Sequence, residues 1–157
     1  MEFLIREIED RDNVAVAKMI RDVFIEFDAE QKGTVYSDPT TDALFELFQN
    51  PASVFFLAVD GECVLGSCGI YPTQGLPNGC AELVKFYLAQ EARGLGIGRA
   101  LMEKSTHWAS QYGYRQLYIE SLPVFSKAVS IYQKQGFKQI DQPLSKAHPG
   151  CNLWFLK

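Results

Sequence analysis

Apolar positions along the chain change their spacing several times, and each change marks a predicted element. Phe3 to Ile8 reads as a strand, and Val16, Met19, Ile20, Val23, Phe24 and Phe27 then recur at helical spacing from Asn13 to about Asp28, behind Asp10 or Asp12 as cap. After a polar loop with Gly33 and Pro39, Thr41 and Asp42 offer caps for a short helix from Ala43 to Gln49, which must stop before Asn50-Pro51. Ser53 to Val59 is a buried strand, Asp60-Gly61 a hairpin turn, and Cys63 to Tyr71 the returning partner. Cys80 to Leu88 is a further strand, whose apolar end Leu83-Val84-Lys85-Phe86-Tyr87-Leu88 reads as buried. A glycine-rich turn follows, and then a helix with Gly98, Leu101, Met102, Ser105, Trp108, Ala109 and Tyr112 on one face, ended by Gly113. Arg115 to Glu120 reads as a strand, Pro123 opens a helix that Gly136 closes, and Phe137 to Ile140 and Cys151 to Leu156 complete the chain.

The turn Gly94-Leu95-Gly96-Ile97-Gly98-Arg99 carries the strongest chemical signal. Alternating glycines let a backbone approach a ligand closely, and the helix behind them points unpaired N–H groups and a positive dipole end at it. Phosphate is the usual guest of such a site. A Walker loop needs Gly-Lys-Ser/Thr, whereas Gly98 is followed by Arg99-Ala100. A dinucleotide fingerprint needs a third glycine where Arg99 stands, and Ala89 to Arg93 separate the glycines from the strand.

Arg93-x-x-Gly96-x-Gly98 resembles the Arg/Gln-x-x-Gly-x-Gly/Ala signature of the GNAT superfamily, the acyl-CoA-dependent N-acetyltransferases. Ala128-x-x-x-Tyr132-x-x-x-Gly136-Phe137 is similar to the same superfamily's Ala-x-x-x-Tyr-x-x-x-Gly-Phe helix end, and one predicted strand separates the two motifs. The resemblance implies an α/β (α+β) fold: a mixed, mostly antiparallel sheet of about seven strands, about four flanking helices, and a splayed central pair of strands. It implies a single N-acetyltransferase domain over residues 1–157 that moves an acetyl group from acetyl-CoA to a primary amine by direct transfer. A non-catalytic acyl-CoA sensor or scaffold of the same fold is the alternative.

The same resemblance assigns residues. Backbone groups of Phe86, Tyr87 and Leu88 would pair with the pantetheine arm, N–H groups of Gly94, Leu95, Gly96, Ile97, Gly98 and Arg99 would hold the pyrophosphate, and Arg93 of the motif would also serve cofactor binding. Arg99 is either a charge contact or a solvated helix residue. Tyr132 matches the general acid, although it shares a face with Phe125 and Val129 as a core aromatic would. Glu82, eleven positions before Arg93, matches a catalytic glutamate. Strict alternation sets Glu82 on one face with Val84, Phe86 and Leu88 unless a bulge breaks the parity, and desolvation there would strengthen a base. Base, cation ligand and bystander all remain open for it. Glu120 is the competing carboxylate, read as holding the acceptor. Phe125 stands where many members carry a CoA-contacting asparagine, and Ser126 is expected to replace part of that grip. An acyl-enzyme on Cys80 would need a base, and no histidine lies near it in sequence.

Composition narrows the partners. Fifteen Lys and Arg against nineteen Asp and Glu give a net charge of −4, with no basic cluster for nucleic acid. Four cysteines without a Cys-x-x-Cys pair, and two histidines (His107 and His148), argue against a structural zinc site, so no metal is expected. No apolar run reaches the roughly 18 residues a membrane span needs, and no secretory leader is visible, so a cytoplasmic enzyme without a membrane partner, monomer or homodimer, is the expectation. Glu26, Asp28, Glu30, Asp38 and Asp42 against Lys32 make an acidic segment. The family resemblance implies that it lies over the acceptor side, where it would either favour a cationic amine, whether a small molecule or a lysine side chain, or merely keep a loop soluble.

Overall fold

The computed structural model describes residues 2–30, 32–145 and 150–157; His148 lies outside them. One seven-stranded sheet runs through the molecule in the order β1-β2-β3-β4-β5-β7-β6. Its strands are β1 (Leu4–Glu7), β2 (Val54–Asp60), β3 (Cys63–Tyr71), β4 (Cys80–Leu88), β5 (Gln116–Ser121), β6 (Lys138–Ile140) and β7 (Leu153–Leu156). All neighbours are antiparallel except β4 and β5, which the helix α3 (Ile97–Tyr112) connects as a parallel crossover. The other helices are α1 (Asn13–Glu26), α2 (Leu44–Leu47) and α4 (Ser126–Lys134). The expected order and the mostly antiparallel sheet of seven strands with four helices are therefore found.

Three local expectations are corrected. Asp12 does not cap α1; its carboxylate accepts from the Glu9 N–H at 2.7 Å and pairs with Arg6. Thr41 and Asp42 do not cap α2. Thr41 donates to the Val35 carbonyl, Asp42 pairs with Arg21, and the Asn13 side chain, 32 residues away on α1, accepts from the Phe45 N–H at 2.8 Å. Pro123 does not open α4, which begins at Ser126.

Tyr87 and Leu88 show how the sheet is sandwiched. Tyr87 packs on Phe24 of α1, while Leu88 turns to the other face and nests where a Cβ on Gly66 or Gly98 would stand. α1 and α3 thus cover opposite faces. The predicted face of α3 is buried at Gly98, Leu101, Met102, Ser105 and Ala109. Tyr112 is the exception: it is 51% exposed and stacks on Trp108 with rings 5.2 Å apart.

Candidate active site

The β4–β5 pair parts in the middle of the sheet. Pairing joins Cys80, Ala81 and Glu82 to Gln116, Leu117 and Tyr118, and stops there. Residues 83–88 of β4 continue along β3 alone, so the backbone that faces β5 beyond Glu82 has no strand partner. A cavity of about 510 Å³ fills this fork, lined among others by Glu82, Phe86, Tyr87, Glu120, Ser126 and Tyr132. The splay is what the family resemblance implied; of the residues it assigned, Leu95, Gly96, Ile97, Gly98 and Arg99 do not line this cavity.

β4 carries an extra residue inside the fork. Gly69 pairs with Val84 and Ser67 with Tyr87, so that Cys68 alone of β3 stands opposite Lys85 and Phe86 of β4. The surplus is absorbed at Lys85, whose φ of +54° lies in the left-handed region, and the buried Ser67 hydroxyl donates to the Lys85 carbonyl at 2.6 Å. Directly paired residues share a face. Glu82, Val84 and Tyr87 therefore point to the α1 side, and Phe86 and Leu88 pack towards α3. The alternation that joined Glu82 to Phe86 and Leu88 is corrected by this bulge.

Glu82 stands at the apex of the fork and is 2% exposed. Its Oε1 accepts from the Thr73 hydroxyl at 2.7 Å. Across the apex, Tyr118 is paired with Glu82, and its hydroxyl donates to Glu120 Oε2 at 2.7 Å. The Leu144 N–H donates to that same hydroxyl. Burial, reinforced by the Glu120 bond and charge, pushes the Tyr118 phenol well up and keeps it a donor. Thr73 and Tyr118, which orient the two carboxylates, carry no motif that sequence reasoning could seize on.

Tyr132 enters from α4 and is 4% exposed. Its ring lies among Phe86, Phe137 and Phe155, with centroids 5.8, 6.3 and 5.6 Å away. Burial raises its phenol above the ordinary range, and the neighbouring Ser121 only partly opposes this. The core aromatic and the proton donor are thus one residue in two parts, a packed ring and a hydroxyl at the cavity.

The glycines divide by task. Gly94 and Gly96 have φ of +76° and +82° with nothing within 4 Å of an added Cβ, so their backbone faces open space. Gly98 needs no special φ. A Cβ there would meet Leu88 Cδ1 at 3.0 Å and Phe86 Cζ at 3.3 Å, which makes it a packing residue. With Gly96 as cap, the first N–H groups of α3 lack partners within the helix. Leu95 is exposed and Ile97 buried.

Arg93 and Arg99 behave differently from each other. Arg93 pairs with Glu26, lies 5.0 Å over the Phe27 ring and donates to the Leu88 carbonyl at 3.0 Å, stapling α1 to the end of β4. Arg99 is exposed and pairs with Glu103 one turn along α3. Arg93–Glu26 and Arg21–Asp42 also alter the acidic surface, because two of its five acids are neutralised by partners distant in sequence. Phe125 packs edge-on against Phe24 and Phe27, joining α4 to α1 above Tyr87. Cys80 is buried with its thiol raised by burial, and it does not line the cavity. Among the described residues no group of His, Cys, Asp and Glu is placed to hold a metal ion, and no helix is long and apolar enough to cross a membrane.

Known proteins share both sequence and fold with this chain. The sequence model of the acetyltransferase (GNAT) family matches residues 20–137. The uncharacterized N-acetyltransferase YjgM of Escherichia coli is 29% identical over 157 residues, covering 98% of this chain and 93% of that protein. A GNAT-family acetyltransferase from Staphylococcus aureus superposes with a TM-score of 0.88 at 18% identity, covering 99% of this chain and 98% of the other. The PaiA N-acetyltransferase of Thermoplasma acidophilum, solved in complex with coenzyme A, has a TM-score of 0.75 at 19% identity, covering 100% and 99% of the two chains.

Proposed function

The chain belongs to the acetyltransferase (GNAT) family, and on that premise we propose that it moves an acetyl group from acetyl-CoA to a primary amine by direct transfer in a ternary complex. In this reading residues 1–157 form one N-acetyltransferase domain. The observation that carries it is the fork between β4 and β5, with one carboxylate at its apex and one buried phenol in its wall. The pantetheine arm lies along the unpartnered edge of β4 at Phe86, Tyr87 and Leu88, as an added strand would. Pyrophosphate rests on the N–H groups from Gly94 to Arg99, with Arg99 turning from Glu103 to add charge and Ser126 flanking the arm. Arg93 acts mainly by holding Leu88 in place.

An ammonium must lose a proton before its nitrogen can attack. Glu82 takes that proton, while Glu120, fixed by Tyr118, helps to hold the acceptor. The nitrogen then forms a bond to the thioester carbon, and the carbon–sulfur bond breaks. Sulfur takes the Tyr132 proton, and the second amine proton returns to the phenolate. The products are the amide, coenzyme A and one proton carried off by Glu82. The hydroxyl of Tyr132 favours this task because burial keeps it protonated.

The direct test is formation of an acetylated amine and free thiol from acetyl-CoA across a panel of primary amines. A ligand that binds the folded state alone, at 100 times its dissociation constant, adds about 2.7 kcal/mol of stability. Acetyl-CoA is therefore expected to raise the melting temperature, whereas NAD and ATP are not. A shift produced by NAD or ATP without any by acetyl-CoA defeats the assignment.

Gly96→Val is expected to remove the acetyl-CoA shift. A side chain forced left-handed costs roughly 1–2 kcal/mol, so this variant melts lower on its own but still cooperatively. An undiminished acetyl-CoA shift in it would place the phosphates elsewhere.

A further inference from the structure

Acetyl transfer as described above leaves one buried charge unused. Lys85 sits on the bulge of β4 and is 7% exposed, and its side chain lines the same cavity as Glu82. Few residues with a β-carbon hold a left-handed backbone unless their surroundings enforce it, and here the Ser67 hydroxyl pins the carbonyl of that very residue. The bulge thus delivers an ammonium into the fork, close to the proposed base. Asp38, from the loop after α1, and Glu82, on its own strand, favour its charged form.

Both carboxylates act on the ammonium through their charge. Each acid has polar partners of its own. Asp38 accepts from the N–H and hydroxyl of Thr40, both at 2.8 Å, and Glu82 accepts from Thr73. Taking an ammonium largely out of water is costly, and a ligand anion that reached it would offset that cost. Burial accordingly lowers the Lys85 pKa, with Asp38 and Glu82 pulling the other way.

Resting on the acetyltransferase reading, we propose that the acceptor is an amine that also bears a carboxylate, its amine at Glu82 and its carboxylate at the Lys85 ammonium. Three residues along a strand span about 10 Å between Cα atoms, and the bulge shortens that. Two inward-reaching side chains at this spacing leave room between them for a compact zwitterion such as an amino acid. Phe24 and Tyr87 wall this side of the cavity, and low polarity strengthens both charge pairs. The acceptor's carboxylate answers the one cation that the β4 wall of the cavity presents, so an amine bearing positive charge alone would leave Lys85 unmatched.

The experiment measures kcat/KM with acetyl-CoA for an amino acid, its carboxamide and a simple alkylamine of equal length. Charge-assisted contacts of this kind are worth about 10- to 100-fold, so wild type is expected to prefer the acid over the amide by that ratio. Lys85→Met should bring the acid-to-amide ratio towards one, and Lys85→Arg should restore much of it. Wild type that acetylates acid and amide equally overturns this inference while leaving the acetyltransferase reading standing. The same holds for Lys85→Met with an undiminished ratio. Failure to acetylate any of the three amines overturns both. The wild-type comparison needs no variant to fold, and a melting curve for each variant establishes that the ratios come from folded protein.

Discussion

Tyr132→Phe is expected to lower kcat by about 10²- to 10⁴-fold, the usual contribution of a positioned acid or base. The dissociation constant for acetyl-CoA should stay nearly constant. The separation follows from how the residue is held. Its ring is fixed by Phe86, Phe137 and Phe155, contacts that phenylalanine keeps, and the residue also lines the cavity. Loss of one hydroxyl costs stability of at most about 1 kcal/mol, too little to unfold a domain of ordinary stability.

The pH dependence has a defined sign. Burial raises the phenol above its ordinary value of about 10, so Tyr132 stays protonated and able to donate across neutral and mildly alkaline pH. An alkaline fall in kcat assigned to this group must therefore begin above about pH 10. Steady-state rates and calorimetric binding of acetyl-CoA, for wild type and variant, check both statements. A variant that turns over at the wild-type rate would leave Tyr132 as a core aromatic alone.

The fold was readable because its information is local. Strand and helix periods, the Asp60-Gly61 turn and the stops at Gly113 and Gly136 each lie within a few residues, and both glycines adopt the left-handed φ that their places imply, +113° and +93°. Misreadings concentrate where a partner is distant in sequence. Asn13 caps α2 from 32 residues away, and Asp42 pairs with Arg21 across 21 residues instead of capping that helix. Periodicity gives no sign of such partners.

At the site the same division holds. Glu82, Glu120 and Tyr132 were each singled out from sequence, and they share one cavity. Which face Glu82 occupies was not readable, because face depends on register, and register depends on how β3 pairs. One lysine inside the run Leu83 to Leu88 was the visible trace of the bulge. A charged residue within an otherwise apolar strand has to leave the pleat or face a cavity, and Lys85 does both.

Glu82→Gln is expected to lower kcat/KM by about 10²- to 10⁴-fold near neutral pH, and the loss should shrink as pH rises. The carboxamide has nearly the same shape, and its oxygen can still accept from Thr73, so the apex of the fork keeps its geometry. What disappears is the group that takes the amine proton. The variant must then rely on acceptor that is already neutral in solution. For an amine with a pKa of about 10, that fraction grows tenfold per pH unit below its pKa. The variant's kcat/KM should climb with a slope near one in a logarithmic plot, while wild type, which deprotonates the amine on the enzyme, climbs less steeply. If Glu82 served only to bind the cation, the variant would show a raised KM at every pH and no alkaline recovery. The two outcomes separate in a single pH series on one amine, with melting curves at each pH to confirm that folded protein is being compared. Parallel profiles for wild type and Glu82→Gln would remove the base from Glu82 and pass the role to Glu120, which Tyr118 already holds at the same cavity.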